Sequence, residues 1–240
     1  MTVGIVVPCF NEAGRWNSQY WFGLLGESQS RFLFVDDGST DHTSDLAKAA
    51  VRNSDSHVLE LPRNMGKAEA VRLGMIELMA DPELSGVGYL DADGAFGVED
   101  VVRIERIYQS EVLLGEVDAV WSSRVALAGR DIRRSNFRHY TGRVIATFLS
   151  GGFDSFPYDT QSGYKVFRPS TTLATALASP FNTRWLFEIE LLKRWVSIAQ
   201  RPMLIREEPL EQWHDVPGSK IKGKEVLRIL RELVTVRFGS

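Results

Sequence analysis

The chain has 240 residues, with 28 Lys and Arg against 31 Asp and Glu, for a formal charge of −3. Hydrophobic residues at 44% and charged residues at 25% describe an ordinary globular protein rather than a disordered tail or a coiled coil. No overall positive field is present to hold nucleic acid, so an anion site must be local. The single cysteine, Cys9, excludes an internal disulfide and a cysteine-based zinc site. It reads as a small buried hydrophobe in a reducing, cytoplasmic setting.

No run reaches the roughly 20 apolar residues that span a bilayer. The N-terminal MTVGIVVPCF lacks a basic n-region and reads as a buried strand rather than a signal peptide. Strand and helix signals then alternate. Val3–Val7 and Arg31–Val35 are short apolar runs without polar alternation, the pattern of parallel strands covered on both faces. A helix capped by Thr40 or Asp41 is expected through about Val51. His57–Leu61 is a third strand candidate, Gly66–Met79 a helix, Val87–Leu90 a fourth strand, Val98–Tyr108 a helix and Val117–Trp121 a fifth strand. Beyond these, Arg133–Leu149 reads as a helix with a basic start, Asp159–Phe167 as a turn into a strand, and Arg184–Trp195 as an aromatic-rich helix. Met203–Trp213 reads as extended, and Lys222–Arg237 as an amphipathic helix. The expectation is one α/β domain over residues 1–240, a mostly parallel sheet flanked by helices. Residues 1–125 would form the nucleotide-binding half and 126–240 the acceptor half.

In such sheets ligands bind beyond the carboxyl ends of the strands. Polar clusters follow the strands here: Asn11-Glu12, Asp36-Asp37, Asp91-Ala92-Asp93 and Ser122-Ser123-Arg124. All four are expected to meet in one crevice. Asp91 and Asp93 sit two apart at a strand end, so both carboxylates can face one ligand. As hard oxygen donors they suit magnesium or manganese on a diphosphate, or they belong to a simple turn. Asp36-Asp37 is either an Asx turn or an acceptor of hydrogen bonds from a base and ribose. Pro8, Phe10, Asn11 and Glu12 either cap the first helix or line a nucleotide. Lys67 opens a helix, where an anion is favoured, without Walker spacing. The absence of G-x-G-x-x-G after the first strand argues against a Rossmann dehydrogenase.

Together, VVPCFNE, FVDDGSTDHTSDLA, RNMGKAEAVRLGM and YLDADGAF resemble the family-2 inverting glycosyltransferases, which have the GT-A fold. Asp159–Phe167 (DTQSGYKVF), Arg184–Leu192 (RWLFEIELL) and Trp213–Lys220 (WHDVPGSK) narrow the resemblance to dolichyl-phosphate glucosyltransferases and polyprenyl-phosphate sugar synthases. The resemblance departs at Ala68-Glu69-Ala70, where the family usually places a second glycine after the lysine.

The resemblance implies transfer of a hexose from a nucleotide sugar, UDP-glucose favoured and GDP-mannose the alternative, to a polyprenyl or dolichyl phosphate. It assigns Pro8, Asn11, Glu12, Asp36, Asp37, Lys67 and Asp91 to the nucleotide, and Asp91 and Asp93 to Mg or Mn. Asp93, Arg124 and Lys220 would serve the departing diphosphate, and Asp159 would be the base if the acceptor is a hydroxyl, with Glu188 behind it. Gln161 and Lys165 would shape the acceptor site. Independently of the resemblance, Arg134 and Arg138, four apart on an expected helical face, either clamp an acceptor phosphate or form a solvated face. From Lys220 to Phe238 there are six Lys or Arg and two Glu, so that segment either packs on the domain or makes peripheral contact with an anionic membrane. The alternatives are a soluble glycosyltransferase acting on a saccharide hydroxyl and a nucleotide-sugar binding module without activity.

Overall fold

A computed structural model describes residues 1–133, 156–214 and 232–233. Nine strands are present among them: β1 (Thr2–Cys9), β2 (Arg31–Asp36), β3 (His57–Glu60), β4 (Leu84–Leu90), β5 (Ala119–Ser123), β6 (Asp131–Arg133), β7 (Tyr164–Phe167), β8 (Ile205–Pro209) and β9 (Gln212–His214). The helices are α1 (Ser18–Glu27), α2 (Thr43–Val51), α3 (Lys67–Met79), α4 (Val98–Leu114), α5 (Thr171–Leu177) and α6 (Phe187–Ala199). Seven strands form one sheet in the order β3-β2-β1-β4-β7-β5-β8, and β6 and β9 form a separate parallel pair. In the large sheet only β7 runs antiparallel, pairing with β4 on one side and β5 on the other.

The apolar runs alternate between two cores, as a period of two requires when both faces are covered. Val6, Leu33 and Val35 enter one cluster with residues of α3, α5 and α6. Val3, Ile5, Val7, Cys9, Phe32 and Phe34 enter the other, with residues of α1, α2 and α4. Gly74 lets α3 sit against the sheet, since a Cβ there would lie 2.8 Å from both methyls of Val6. Parallel registry of Cys9 with Asp36 and of Asp36 with Glu60 sets the carboxyl ends of β1, β2 and β3 level. The strand-end clusters therefore share one edge of the sheet.

Several boundaries differ from the sequence reading. The α6 helix begins at Phe187, not Arg184, and α4 extends to Leu114. Arg133 ends a short strand, in register with His214, rather than starting a helix. Its guanidinium pairs with Asp131 across one intervening residue. Arg134, Arg138, Lys220 and nearly all of the expected C-terminal helix lie outside the described residues.

Candidate active site at the carboxyl ends of the strands

The loops after β1 and β2 are laced to each other. Asn11 takes a left-handed backbone with φ 51, a conformation Asn tolerates better than most residues. Its N–H donates to Ser39 Oγ at 3.0 Å and its Oδ1 accepts from Thr40 N–H at 2.9 Å. Glu12 is buried, its N–H donates to Thr43 Oγ1 at 2.7 Å, and its carboxylate pairs with Arg15. Asp36 accepts from Ser39, which closes the Asx turn. Asp37 accepts from the N–H groups of Met65 at 2.6 Å and Gly66 at 2.8 Å. Burial pushes its carboxyl up, against those two bonds and the charge of Arg184. Gly38, at φ +67, lies so close to the Arg63 backbone that a Cβ would meet its carbonyl carbon at 2.5 Å. These contacts tie the loops after β1, β2 and β3 together.

The end of β4 is the most charged part of the site. Asp91 Oδ1 is buried and receives no hydrogen bond of good geometry; it faces Lys67 Nζ at 2.6 Å. Asp93 is a quarter exposed, accepts from Ala95 N–H at 3.2 Å and lies 3.8 Å from Arg15. Burial, followed by the charge of Asp91, raises the Asp93 carboxyl above its ordinary value. Two carboxylates held this close favour a cation between them. Gly163, in the DTQSG segment, cradles Asp91. Its carbonyl accepts the Asp91 N–H at 2.9 Å, and a Cβ there would sit 2.3 Å from Asp91 Oδ2. The residues fit a divalent cation: they are hard oxygen donors, with one buried carboxylate oxygen lacking a well-aligned hydrogen bond. Among the described residues no group of three or more His, Cys, Asp or Glu gathers into a metal-ligand set. The chain would therefore supply two carboxylates, with diphosphate oxygens and water filling the other positions.

Beneath this edge lies a buried polar network. Lys165, on β7, is 0% exposed, and its ammonium is held inside this network. Its Nζ donates to Tyr89 Oη at 2.8 Å and to the Ser162 carbonyl, and lies 3.6 Å from Glu188. The Trp121 ring lies 4.7 Å away. Burial pushes the Lys165 ammonium pKa down to about 8. Tyr89 Oη donates to Glu188 Oε1 at 2.7 Å, and Glu188 Oε2 is buried without a hydrogen-bond partner. Ser122 bonds to Ser162 and to the Tyr164 carbonyl, so it anchors the DTQSG turn rather than facing ligand.

Arg124 and Asp159 form a bidentate pair, Nε to Oδ2 and Nη2 to Oδ1 each at 2.7 Å, with the Arg124 N–H adding a third bond at 3.0 Å. Glu207 on β8 holds Asp159 in turn, through the N–H groups of Tyr158 and Asp159. The guanidinium also stacks over Trp213 at 5.1 Å. Arg124 was expected on the diphosphate and Asp159 as a base; in this structure each engages the other. Gln161 donates its N–H to Asp159, and its buried Nε2 has no hydrogen-bond partner. Pro8 and Phe10 are half-buried at the end of β1.

Arg15, Tyr89, Gly163 and Glu207 escaped the sequence reading. Arg15 bridges Glu12 and Asp93, a long-range contact that no local pattern announces. Gly163 and Tyr89 had a signal, since they stand inside the DTQSG and YLDADGAF strings.

Residues 4–108 match Glycosyl transferase family 2. The chain is 31% identical over 241 residues to the dolichyl-phosphate beta-glucosyltransferase of Mus musculus, covering 91% of this chain and 69% of that protein. It is 26% identical over 260 residues to the enzyme of the same name from Saccharomyces cerevisiae, covering 99% and 74%. Among solved structures, glucosyl-3-phosphoglycerate synthase from Mycobacterium tuberculosis, crystallised with Mn2+, UDP and glucosyl-3-phosphoglycerate, superposes with a TM-score of 0.60 at 16% identity over 98% of this chain and 78% of that one. That likeness establishes the GT-A fold. With a mouse relative above 30% identity along most of its length, and the family match across β1 to α4, the chain belongs to glycosyl transferase family 2.

Proposed function

We propose that the chain transfers glucose, with inversion, from UDP-glucose to a polyprenyl phosphate of the dolichyl type. The observation that carries this reading is the junction of Asp91, Asp93 and Lys67 at the end of β4, with Gly163 packed against Asp91. The names of the mouse and yeast relatives supply the sugar and the acceptor class.

A phosphate oxygen of the acceptor attacks the anomeric carbon, a new C–O bond forms, and the bond to the β-phosphate breaks with release of UDP. Negative charge gathers on the departing diphosphate, so the site must neutralise it and align the attack. Asp91 and Asp93 would hold a divalent cation, which when bound screens the diphosphate charge. Lys67 adds a fixed positive charge beside Asp91. The loops of Pro8, Asn11, Glu12, Asp36 and Asp37 form the nucleotide wall. The Arg124–Asp159 pair, backed by Glu207 and Trp213, holds the opposite wall in shape. Gln161 offers its unpartnered amide to the acceptor. Arg134 and Arg138 are assigned to the acceptor phosphate on their spacing of four, and Lys220 to the diphosphate on family resemblance. Within the segment from Lys220 to Phe238, Glu232 and Leu233 pack on the domain, and its basic side chains are assigned to an anionic bilayer surface, where a lipid phosphate is presented. No helix among the described residues is long and apolar enough to cross a membrane.

A phosphate acceptor is already anionic near neutral pH and needs no base. One observation favours keeping a hydroxyl acceptor as the second reading: Glu188 carries a buried, unpartnered carboxylate oxygen. Nucleotide sugars screened against polyprenyl phosphate in detergent, and against soluble saccharides, with and without EDTA, decide between them. Transfer from UDP-glucose to the lipid alone supports the first reading; transfer to saccharide alone replaces it.

A further inference from the structure

The start of α6 is capped from far along the chain. Its N-cap residue, Leu186, gives no side-chain cap. Instead Glu232, which is buried, accepts hydrogen bonds from three successive N–H groups: Arg184 at 3.1 Å, Trp185 at 2.9 Å and Leu186 at 3.2 Å. Free N–H groups at a helix start attract a carboxylate, and the helix dipole adds to the attraction. Three bonds to consecutive residues fix the backbone from which the Arg184 side chain departs.

That side chain lies across Gly66. A Cβ on Gly66 would be 3.5 Å from Arg184 Nε, 3.6 Å from Cδ and 3.7 Å from Cζ. Gly66 directly precedes Lys67, which faces Asp91, and its N–H is held by Asp37. The Arg184 charge also reaches Asp37 and favours its ionised form. Arg184 is exposed, and among the described residues its guanidinium makes no hydrogen bond or ion pair. Arg15 and Arg124, the other arginines of the crevice, are both held by carboxylates. A guanidinium on a fixed backbone, lying over Gly66 at the start of the Lys67 helix, is arranged to meet a phosphate, which it can bind through two parallel N–H bonds.

We propose that Arg184 binds a substrate phosphate at the crevice and that Glu232 is the residue positioning it there. The inference rests on the glycosyltransferase reading. The phosphate belongs to the donor diphosphate or to the acceptor, and the test separates the two. Calorimetry with UDP and Mg2+ measures the donor arm, and the KM for polyprenyl phosphate measures the acceptor arm, both on the full chain. Arg184→Gln should weaken one of these constants by at least about tenfold, the scale of a lost charge-assisted pair, with the other within about twofold. Glu232→Gln should move the same constant in the same direction, and the double variant should lose less than the product of the two single losses. Glu232→Asp, which keeps the charge, should recover part of the loss. A purely structural Glu232 would lower Tm and the active fraction while leaving both constants alone. If Arg184→Gln leaves both constants within about twofold, the inference is wrong. Wild-type protein that binds no UDP at all would bring down the UDP-glucose reading itself, a distinct result.

Discussion

Gly163→Ala tests the link between the carboxylate pair and the DTQSG turn. Gly163 does not use a positive φ, so alanine is acceptable to the backbone and the perturbation acts through space alone. The new methyl would start 2.3 Å from Asp91 Oδ2, 2.4 Å from Cγ and 2.9 Å from Oδ1. Real Cβ atoms essentially never come under 3.0 Å, so the Asp91 carboxylate must retreat by about 0.7 Å or the turn must open. Misplacement by about 1 Å costs on the order of a hundredfold in rate, so turnover should fall between about tenfold and a hundredfold. Overpacking of this kind costs about 1–3 kcal/mol, or a few degrees of Tm in a chain of this length. Steady-state turnover, a manganese titration of the rate and a thermal melt give the three readouts. Gly23→Ala is the control: no atom lies within 4 Å of its Cβ position, and alanine in a helix should stabilise by about 0.5–1 kcal/mol. Wild-type turnover and cation dependence in Gly163→Ala would refute the claim that the position of Asp91 matters.

Asp93→Ala should lower turnover by about a hundredfold or more through lost charge stabilisation at the leaving group, and EDTA should do the same to wild type; an unaffected rate after chelation would remove the metal from the account. Lys165→Met should destabilise the fold by about 3–5 kcal/mol, because Glu188 is left buried without its cation, and Lys165→Met with Glu188→Gln should recover part of that loss in urea denaturation. Glu188→Gln should lower transfer to polyprenyl phosphate by less than about tenfold, since no proton must leave, whereas a hydroxyl acceptor would lose about 10²–10⁴-fold. Asp159→Asn reports on the pair with Arg124 rather than on a base. It should raise the urea sensitivity of the chain, and Glu207→Gln should act in the same direction.

The parallel core was legible because Val3–Val7 and Phe32–Val35 leave no polar face. The carboxyl-end clusters followed from it, and Asp36-Asp37 and Asp91-Asp93 do lie at strand ends. The antiparallel insertion of β7 was not legible, because YKVF reads identically in either direction of pairing. A first helix was expected after β1 without bounds, because Gly23 and Gly26 dilute the pattern of α1; burial of Trp21 and Leu24 holds it, and Asn17 caps it. The start of α6 was placed three residues early because the N–H groups of Arg184, Trp185 and Leu186 are taken by Glu232, 46 to 48 residues away. Arg124 was read as a cation on the diphosphate and Lys165 as shaping the acceptor site. The structure gives each an internal carboxylate partner, Asp159 at a separation of 35 residues and Glu188 on another element. Charge type is visible in a sequence, but which opposite charge it meets depends on tertiary contacts.

The most direct measurement is product analysis after incubating the full chain with UDP-[14C]glucose, Mg2+ or Mn2+, and polyprenyl phosphate in detergent. The account predicts one labelled lipid-linked product, a β-linked glucosyl phosphate, absent with EDTA and reduced at least about a hundredfold in Asp93→Ala. Label appearing in a soluble saccharide and never in the lipid fraction would contradict it.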